Sequence, residues 1–407
     1  MESLAKSEVS QYEFSNVEIS NKAFFSFLFQ SFIYGTVVGA MSLLIPLFAL
    51  KLSADTIQVG LITGSRGMSH FLLVIPVGLL VNRFGIKKVF ITSSFLSFLI
   101  VLSITNANNP SILLLFAFIE GLTCSTRLTA LNSWCFKILP FLKSSQMGWY
   151  KGSSSIGLTI LGPILASFLS DKLGFTLTFI LIAIIILIAN LIEIFSETKI
   201  EIAINTHKKS EKITSSIMNL VKMLKKPKLL FVAYGESASS GLTSCFRILM
   251  VLLLVGFMHK ESSSVSLVTA LLGIAYLFVV FLGGHLLNYL KSTYIFICSS
   301  CIIIIAFIIM ATNYNIIFIS FASFLVGMGL GFLNLVNYKI ISVIPGNSAN
   351  ISTIITFSTG VSLFISPMII SFILGLFSFK AGFFTLILPF IIIIVLVGFK
   401  ARLINES

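Results

Sequence analysis

The sequence predicts an all-α membrane protein of twelve transmembrane helices, arranged as two pseudo-symmetric halves of six. Three observations carry that expectation. First, 57% of the 407 residues are hydrophobic and only 10% are charged, against about 25% charged in soluble domains; the mean hydropathy is +1.06. Second, the apolar residues fall in runs close to the ~20 residues that a bilayer-spanning helix needs. Third, the second half of the chain echoes the first. A water-soluble enzyme, a nucleic-acid-binding module and a disordered chain are excluded, because so few charged side chains cannot solvate a surface of this size.

The elements follow in order. Residues 1–22 carry Glu2, Lys6, Glu8, Glu13, Glu18 and Lys22. They lack the basic start and apolar core of a secretory signal and read as a cytoplasmic tail. Apolar segments then run at about 23–50, 57–80, 88–106, 111–137, 147–170 and 175–195. After a basic linker at 196–227, they continue at 228–256, 264–287, 294–312, 315–340, 351–376 and 381–399. Polar breaks such as Asn106–Pro110 and Asn313–Asn315 are tight turns. Residues 400–407 form a second tail. The expected domains are therefore a bundle at 23–195, the linker, and a bundle at 228–399.

Orientation follows from the basic residues, which favour the cytoplasmic side. With the N-terminus inside, cytoplasmic segments hold nineteen of the 27 lysines and arginines, and the outer loops hold four: Lys51, Lys172, Lys260 and Lys380. Both termini are expected in the cytoplasm of a cell with this protein in its inner membrane. The net charge of +13 is then a topology signal and not a nucleic-acid footprint. The polybasic stretch Lys222–Lys228 is suited to touch anionic lipid. The five cysteines all lie in apolar runs and imply no disulfide framework. Cys298 and Cys301 have redox-motif spacing but read as small core residues.

The repeat has an offset of 206 residues. Gly78–Asn82 aligns with Gly284–Asn288. Val59, Leu61, Thr63 and Gly67 align with Val265, Leu267, Thr269 and Gly273, and Phe118–Gly121 with Phe324–Gly327. Pro163 and Pro367 take similar places in the fifth and eleventh segments.

The stretch Gly78-Leu-Leu-Val-Asn82-Arg83-Phe-Gly85-Ile-Lys87-Lys88 resembles the loop between the second and third helices of the major facilitator superfamily, whose pattern is G-x-L-x-D-R-x-G-R-K. Leu52–Gly60 resembles the outer loop that leads into the second helix. The resemblance covers the whole chain and implies a membrane transporter. Gly78 suits close helix packing and Gly85 a tight turn. Asn82 stands where the family has an acid. The resemblance gives that acid to a charged latch between the halves, so a weaker latch is expected here. Gly157, Gly162 and Pro163 resemble in part the motif of family antiporters that expel drugs. Four residues separate the two glycines instead of three, and Ala166-Ser167 stands for the final glycine pair. The same residues are also what close helix contact and a proline kink require.

Ionisable groups inside a bilayer cost at least ~2.5 kcal/mol each at mid-helix. Arg66 and His70 occur in the second segment, Glu120 and Arg127 in the fourth, Lys151 in the fifth, and Glu236 and Arg247 in the seventh. Glu120 and Arg127 are two turns apart and Glu236 and Arg247 three, so each pair shares a helix face. Glu120, followed by Glu236, is the candidate proton carrier. Arg127, Arg247, Arg66 and His70 are the candidates to line a substrate cavity, although a satisfied core position explains His70 as well. Arg127 and Glu236 fall at similar heights, and a contact between them is one expected arrangement.

There is no G-x-x-x-x-G-K-[ST] loop, no H-E-x-x-H and no nucleophile turn with a paired base. The chain is therefore expected not to be an enzyme and to need neither cofactor nor metal. The resemblance implies a secondary active exporter that exchanges protons for a small molecule, with uptake of a metabolite or a non-transporting sensor as alternatives. Lysine outnumbers arginine 22 to 5, as an AT-rich gene would give. The chain as a whole resembles exporters of drugs and antibiotics, microcin self-immunity exporters among them. The expected partners are a small-molecule or peptide-like antibiotic cargo, protons and the lipid bilayer, acting on a monomer.

Overall fold

The computed structural model describes residues 21–138, 152–195, 226–283, 290–344 and 348–405. The tail at 1–20, most of the linker, Lys151 and the repeat match at 284–288 lie outside the described residues. Those residues form eleven long helices. They are α1 (Asn21–Lys51), α2 (Thr56–Phe84), α3 (Ile86–Ile104), α4 (Pro110–Ile138), α5 (Gly162–Phe195), α6 (Pro227–Met250), α7 (Ser262–Leu282), α8 (Ser292–Thr312), α9 (Ile316–Val343), α10 (Ser348–Leu376) and α11 (Phe379–Asn405). Two π turns, Gly157–Leu161 ahead of α5 and Val251–Phe257 after α6, extend those helices. Among the described residues, ten stretches are long and apolar enough to cross a membrane.

Local chemistry sets the boundaries. Asp55 opens α2 with a reciprocal capping box, accepting from Gln58 N–H at 2.7 Å while the Gln58 side chain accepts from Asp55 N–H. This satisfies two donors that the helix start would leave orphaned. Asn315 caps α9 with a single bond, its Oδ1 accepting from Ile317 N–H at 3.0 Å. Gly85, at φ 87°, makes the turn between α2 and α3 that its place in the sequence led us to expect. Gly174, at φ 79° and ψ 167°, interrupts α5. The predicted fifth and sixth segments thus meet at a single glycine without a longer loop.

The end of the bundle where α1 finishes and α2 starts is called the far end below. One apolar cluster crosses from α1–α5 to α6–α11: it holds far-end residues such as Leu47, Val59, Leu113 and Leu254, and along α6, α9 and α10 it also reaches the near end at Leu229, Ile344 and Ile351. A second cluster, including Phe27, Val77, Phe90, Leu131 and Trp134, is confined to α1–α4 towards the near end. Large apolar side chains such as Phe377 and Phe399 stand exposed, as lipid-facing positions do. Cys298 and Cys301 are exposed on α8, which corrects their expected place in the core. Lipid and core are equally apolar, so hydropathy does not separate the two surroundings.

Helix packing repeats. α2 lies along α4, and α7 along α9. α1 lies along α5, and α6 along α10. α3 packs on α4 and α5, and α8 on α9 and α11. Between these two sets, α2 runs along α10 and α5 along α7.

Candidate functional site

Ser42, Arg66, Glu120 and Arg247 each lie about ten residues from the far end of their helices, or ~15 Å at 1.5 Å per residue. That is the middle of a ~30 Å hydrocarbon layer. Arg66 Nε donates to Glu120 Oε2 at 2.6 Å. This is the one salt bridge among the described residues, and Glu120 is 1% exposed. Gly121 makes the pairing possible. A Cβ there would stand 2.8 Å from the Arg66 backbone, so only glycine lets α4 approach α2 this closely. Removing one partner of such a buried pair costs about 3–5 kcal/mol.

Arg247 reaches the same layer from α6. Its Nη1 donates to Ser42 Oγ on α1 at 2.9 Å, and its Nη2 lies 3.5 Å from the Leu158 carbonyl oxygen. Both acceptors are neutral. Arg66 is its charged neighbour, and the two repel. Two guanidinium groups and one carboxylate leave this layer with an excess positive charge. His70 lies one turn beyond Arg66, where Gly360 of α10 packs against its backbone and that of Phe71.

The other candidates part from these. Arg127 shares a face with Glu120, as their spacing requires. That face looks into the interior of its own bundle. Arg127 Nη1 donates to Ser97 Oγ at 3.1 Å, and the guanidinium lies 5.2 Å from the Tyr34 ring centroid. It borders a cavity the size of about one water molecule, with Gln30, Tyr34, Ser94 and Ala189 among its lining residues. Arg127 is therefore not a residue of the central layer, and the expected contact with Glu236 is not formed. Glu236 accepts instead from Asn337 Nδ2 on α9 at 2.9 Å. The helical phase was legible; the neighbour each face would meet was not.

Sequence reasoning missed Ser42 and Ser97, whose residue types carry no signal of their own, and read Asn337, with Lys339, as a boundary residue near the inner end of its helix. It also missed the serine seam between α6 and α10. There Ser237 bonds to Ser358, and Ser362 donates to Ser237 O at 2.7 Å. The spacing of Ser358, Ser362 and Ser366 at every fourth residue was the available sign.

In the conformational motif, Arg83 and Lys88 are exposed, and Lys87 Nζ donates to Ile194 O at 3.2 Å. The side chains of Asn82 and position 78 lie outside the described residues. Gly157 and Gly162 face α1: a Cβ on either would run into its backbone at Thr36 and Ala40. Gly35 and Gly39 of α1 answer them at Ser154 and Leu158. The extra residue between the two glycines is taken up by the π turn, in which Gly162 N–H bonds to Gly157 O. A π turn holds one more residue than an α turn, so both glycines keep the same face.

Comparison with known proteins agrees with this architecture. The sequence profile of the Major Facilitator Superfamily matches residues 27–358. Crystal structures of the nucleoside transporter NupG superpose with a TM-score of 0.75. At 10% identity one covers 93% of this chain and 99% of its own. A variant of the same transporter, at 11% identity, covers 92% and 98%. Identities this low speak for the fold alone. No curated protein matches the chain by sequence. With 332 of its residues, 27–358, under the family profile, the chain belongs to the major facilitator superfamily.

Proposed function

We propose that this chain is a proton-coupled exporter of a small molecule, working by alternating access between two six-helix halves. The break at Gly174 supports twelve spans, because it divides α5 into two arms. The repeated packing of α1–α5 in α6–α11 supports two halves. So do the contacts between α1 and α6. Ser42 meets Arg247 at a separation of 205 residues, and Leu50 lies beside Gly256, 206 apart. Leu50 touches its own repeat equivalent and Ser42 the residue next to its own, as residues beside a pseudo-twofold axis do.

The observation that carries the reading is the Arg66–Glu120 pair at mid-membrane. Protonation of Glu120 would release Arg66, and the halves would then rock under a changed charge. The excess positive charge shared with Arg247 favours cargo that carries an anionic group, and a peptide-like antibiotic is one such cargo. Glu236, held by Asn337, is the second proton candidate.

Reconstituted protein should move cargo against a pH gradient. Cargo that moves with the protons would make the chain an importer, and none moving in either direction would leave the sensor reading. Expression in a sensitive cell, tested against an antibiotic panel, would name the cargo. For orientation, a cysteine at Ser215 should react with a membrane-impermeant reagent only after lysis. Labelling of intact cells would invert the assigned topology.

A further inference from the structure

We propose that Arg247 is a clasp that holds the two halves together at the level of the central layer. Its seat is a backbone carbonyl that the helix ahead of α5 cannot use. The proposal rests on the two-half transporter reading.

The argument begins with one residue too many. Gly157 and Gly162 are separated by four residues, and Pro163 follows. The π turn keeps both glycines against α1, and in doing so commits Gly162 N–H to Gly157 O. The next donor in that register, toward Leu158 O, would be residue 163. That residue is proline and has no N–H. The Leu158 carbonyl is thereby left outside the helical ladder. A backbone acceptor without a partner is costly in a bilayer, and a partner arrives from the other half: Arg247 Nη2.

The second point of attachment is on α1. Ser42 Oγ donates to Gly39 O at 2.7 Å and accepts from Arg247 Nη1. Arg247 thus gathers α1 and the helix ahead of α5, the two helices that the glycines bring into contact, and ties both to α6. The contact lies beside the pseudo-twofold axis, at the height of the Arg66–Glu120 pair, with Leu50 and Gly256 nearer the far end. Any opening of the far end must separate α6 from α1 and break it. Its acceptors are neutral and one bond is long, so the clasp can be broken without leaving an unpaired carboxylate behind. Arg247 acts here as a positioning residue for the conformational cycle.

The test uses full-length protein in lipid nanodiscs, with spin labels on cysteines at Lys51 and Lys260. Both positions are exposed and lie on opposite halves at the far end. R247M should raise the population with long label-to-label distances on the order of tenfold, the effect of losing one charge-assisted bond. R247K, which still donates to a carbonyl, should restore most of the short-distance population. P163A returns an N–H to the helix as an internal partner for the carbonyl and should open the far end without touching Arg247. The double variant should open no further than the larger of the two single changes. An unchanged distance distribution in R247M would overturn the clasp, and so would additive effects of R247M and P163A. Transport measured on the same preparations separates the two readings: wild-type protein that moves no cargo would count against the transporter, while the distances would still report on the clasp.

Discussion

On the two-half reading proposed above, two seams join the halves, and the internal repeat relates them. In one, α2 lies along α10; in the other, the helix leading into α5 lies along α7. Gly67 and Gly273 are repeat equivalents and sit at equivalent points. The fastening differs. On α2, Gly67 presses on the backbone of α10 at Leu363, Gly64 on the Phe364 carbonyl, and Gly60 on the Ser371 side chain and the Pro367 carbonyl; Gly360 of α10 presses back at Phe71. On the other seam Gly273 meets Thr159, largely through its side chain, and Gly152 meets the Phe281 ring. A polar contact closes its far end, where Asp171 Oδ2 accepts from Ser263 N–H at the start of α7 at 3.0 Å. Backbone against backbone has no rotamer to yield. Side chains and single hydrogen bonds do. The repeat fixes which helices meet, while the local residues decide whether the meeting is a rigid hinge or an adjustable one.

The strongest test of this contrast is at the rigid seam, whose helix also carries Arg66. Glu120→Gln keeps a hydrogen-bond acceptor for Arg66 but removes titration. Folded protein with proton-driven transport lost is expected, read in proteoliposomes under an imposed pH gradient. Normal transport would remove Glu120 as the carrier and leave the seam purely structural.

Packing comes next in size. Gly67→Ala drives a methyl group into the α10 backbone, and a cost of about 1–3 kcal/mol follows from overpacking. Gly273→Ala meets Thr159 Oγ1 at 2.6 Å, Cβ at 2.8 Å and the carbonyl oxygen at 3.0 Å, all longer than the 2.3 Å at which Gly67→Ala meets Leu363. Its cost should fall at or below the lower end of that range, about 1 kcal/mol. Thermal unfolding of the two purified variants in one detergent gives the ranking, and equal losses would end the distinction between the seams.

The smallest effect is expected at Asp171. Asp171→Asn keeps an acceptor for Ser263 N–H but gives up the attraction between a carboxylate and a helix N-terminus, about 0.3–1 kcal/mol at a surface site. Salt screens such an interaction. The gap in unfolding temperature between wild type and variant should therefore close as salt is added. A gap that persists at high salt would assign the contact to hydrogen bonding alone.

Much of the fold was legible because its causes are local. Chain length per apolar run, Gly85 in its turn, and Gly67 matching Gly273 all act over a few residues or recur at one offset. The membrane enforces them uniformly, since every span must satisfy its own backbone. The candidate site was legible by residue type: Arg66, Glu120 and Arg247 stand out because charge in a bilayer is costly. Their partners did not stand out. Spacing placed Glu120 and Arg127 on one face, and Glu236 and Arg247 on another. It could not say that the first face would look into its own bundle, or that Glu236 would meet Asn337. Those outcomes depend on how each helix is rotated against neighbours distant in sequence, and a hydropathy pattern shared by lipid and core does not encode rotation. The same holds for Cys298 and Cys301, apolar in sequence and exposed in the structure. The sequence alone determined that this chain spans a membrane as a repeated bundle with a few buried charges. Tertiary structure alone decided which charges pair, because pairing is settled by the close approach that Gly121 permits between α2 and α4, and by the carbonyl that Pro163 leaves for Arg247.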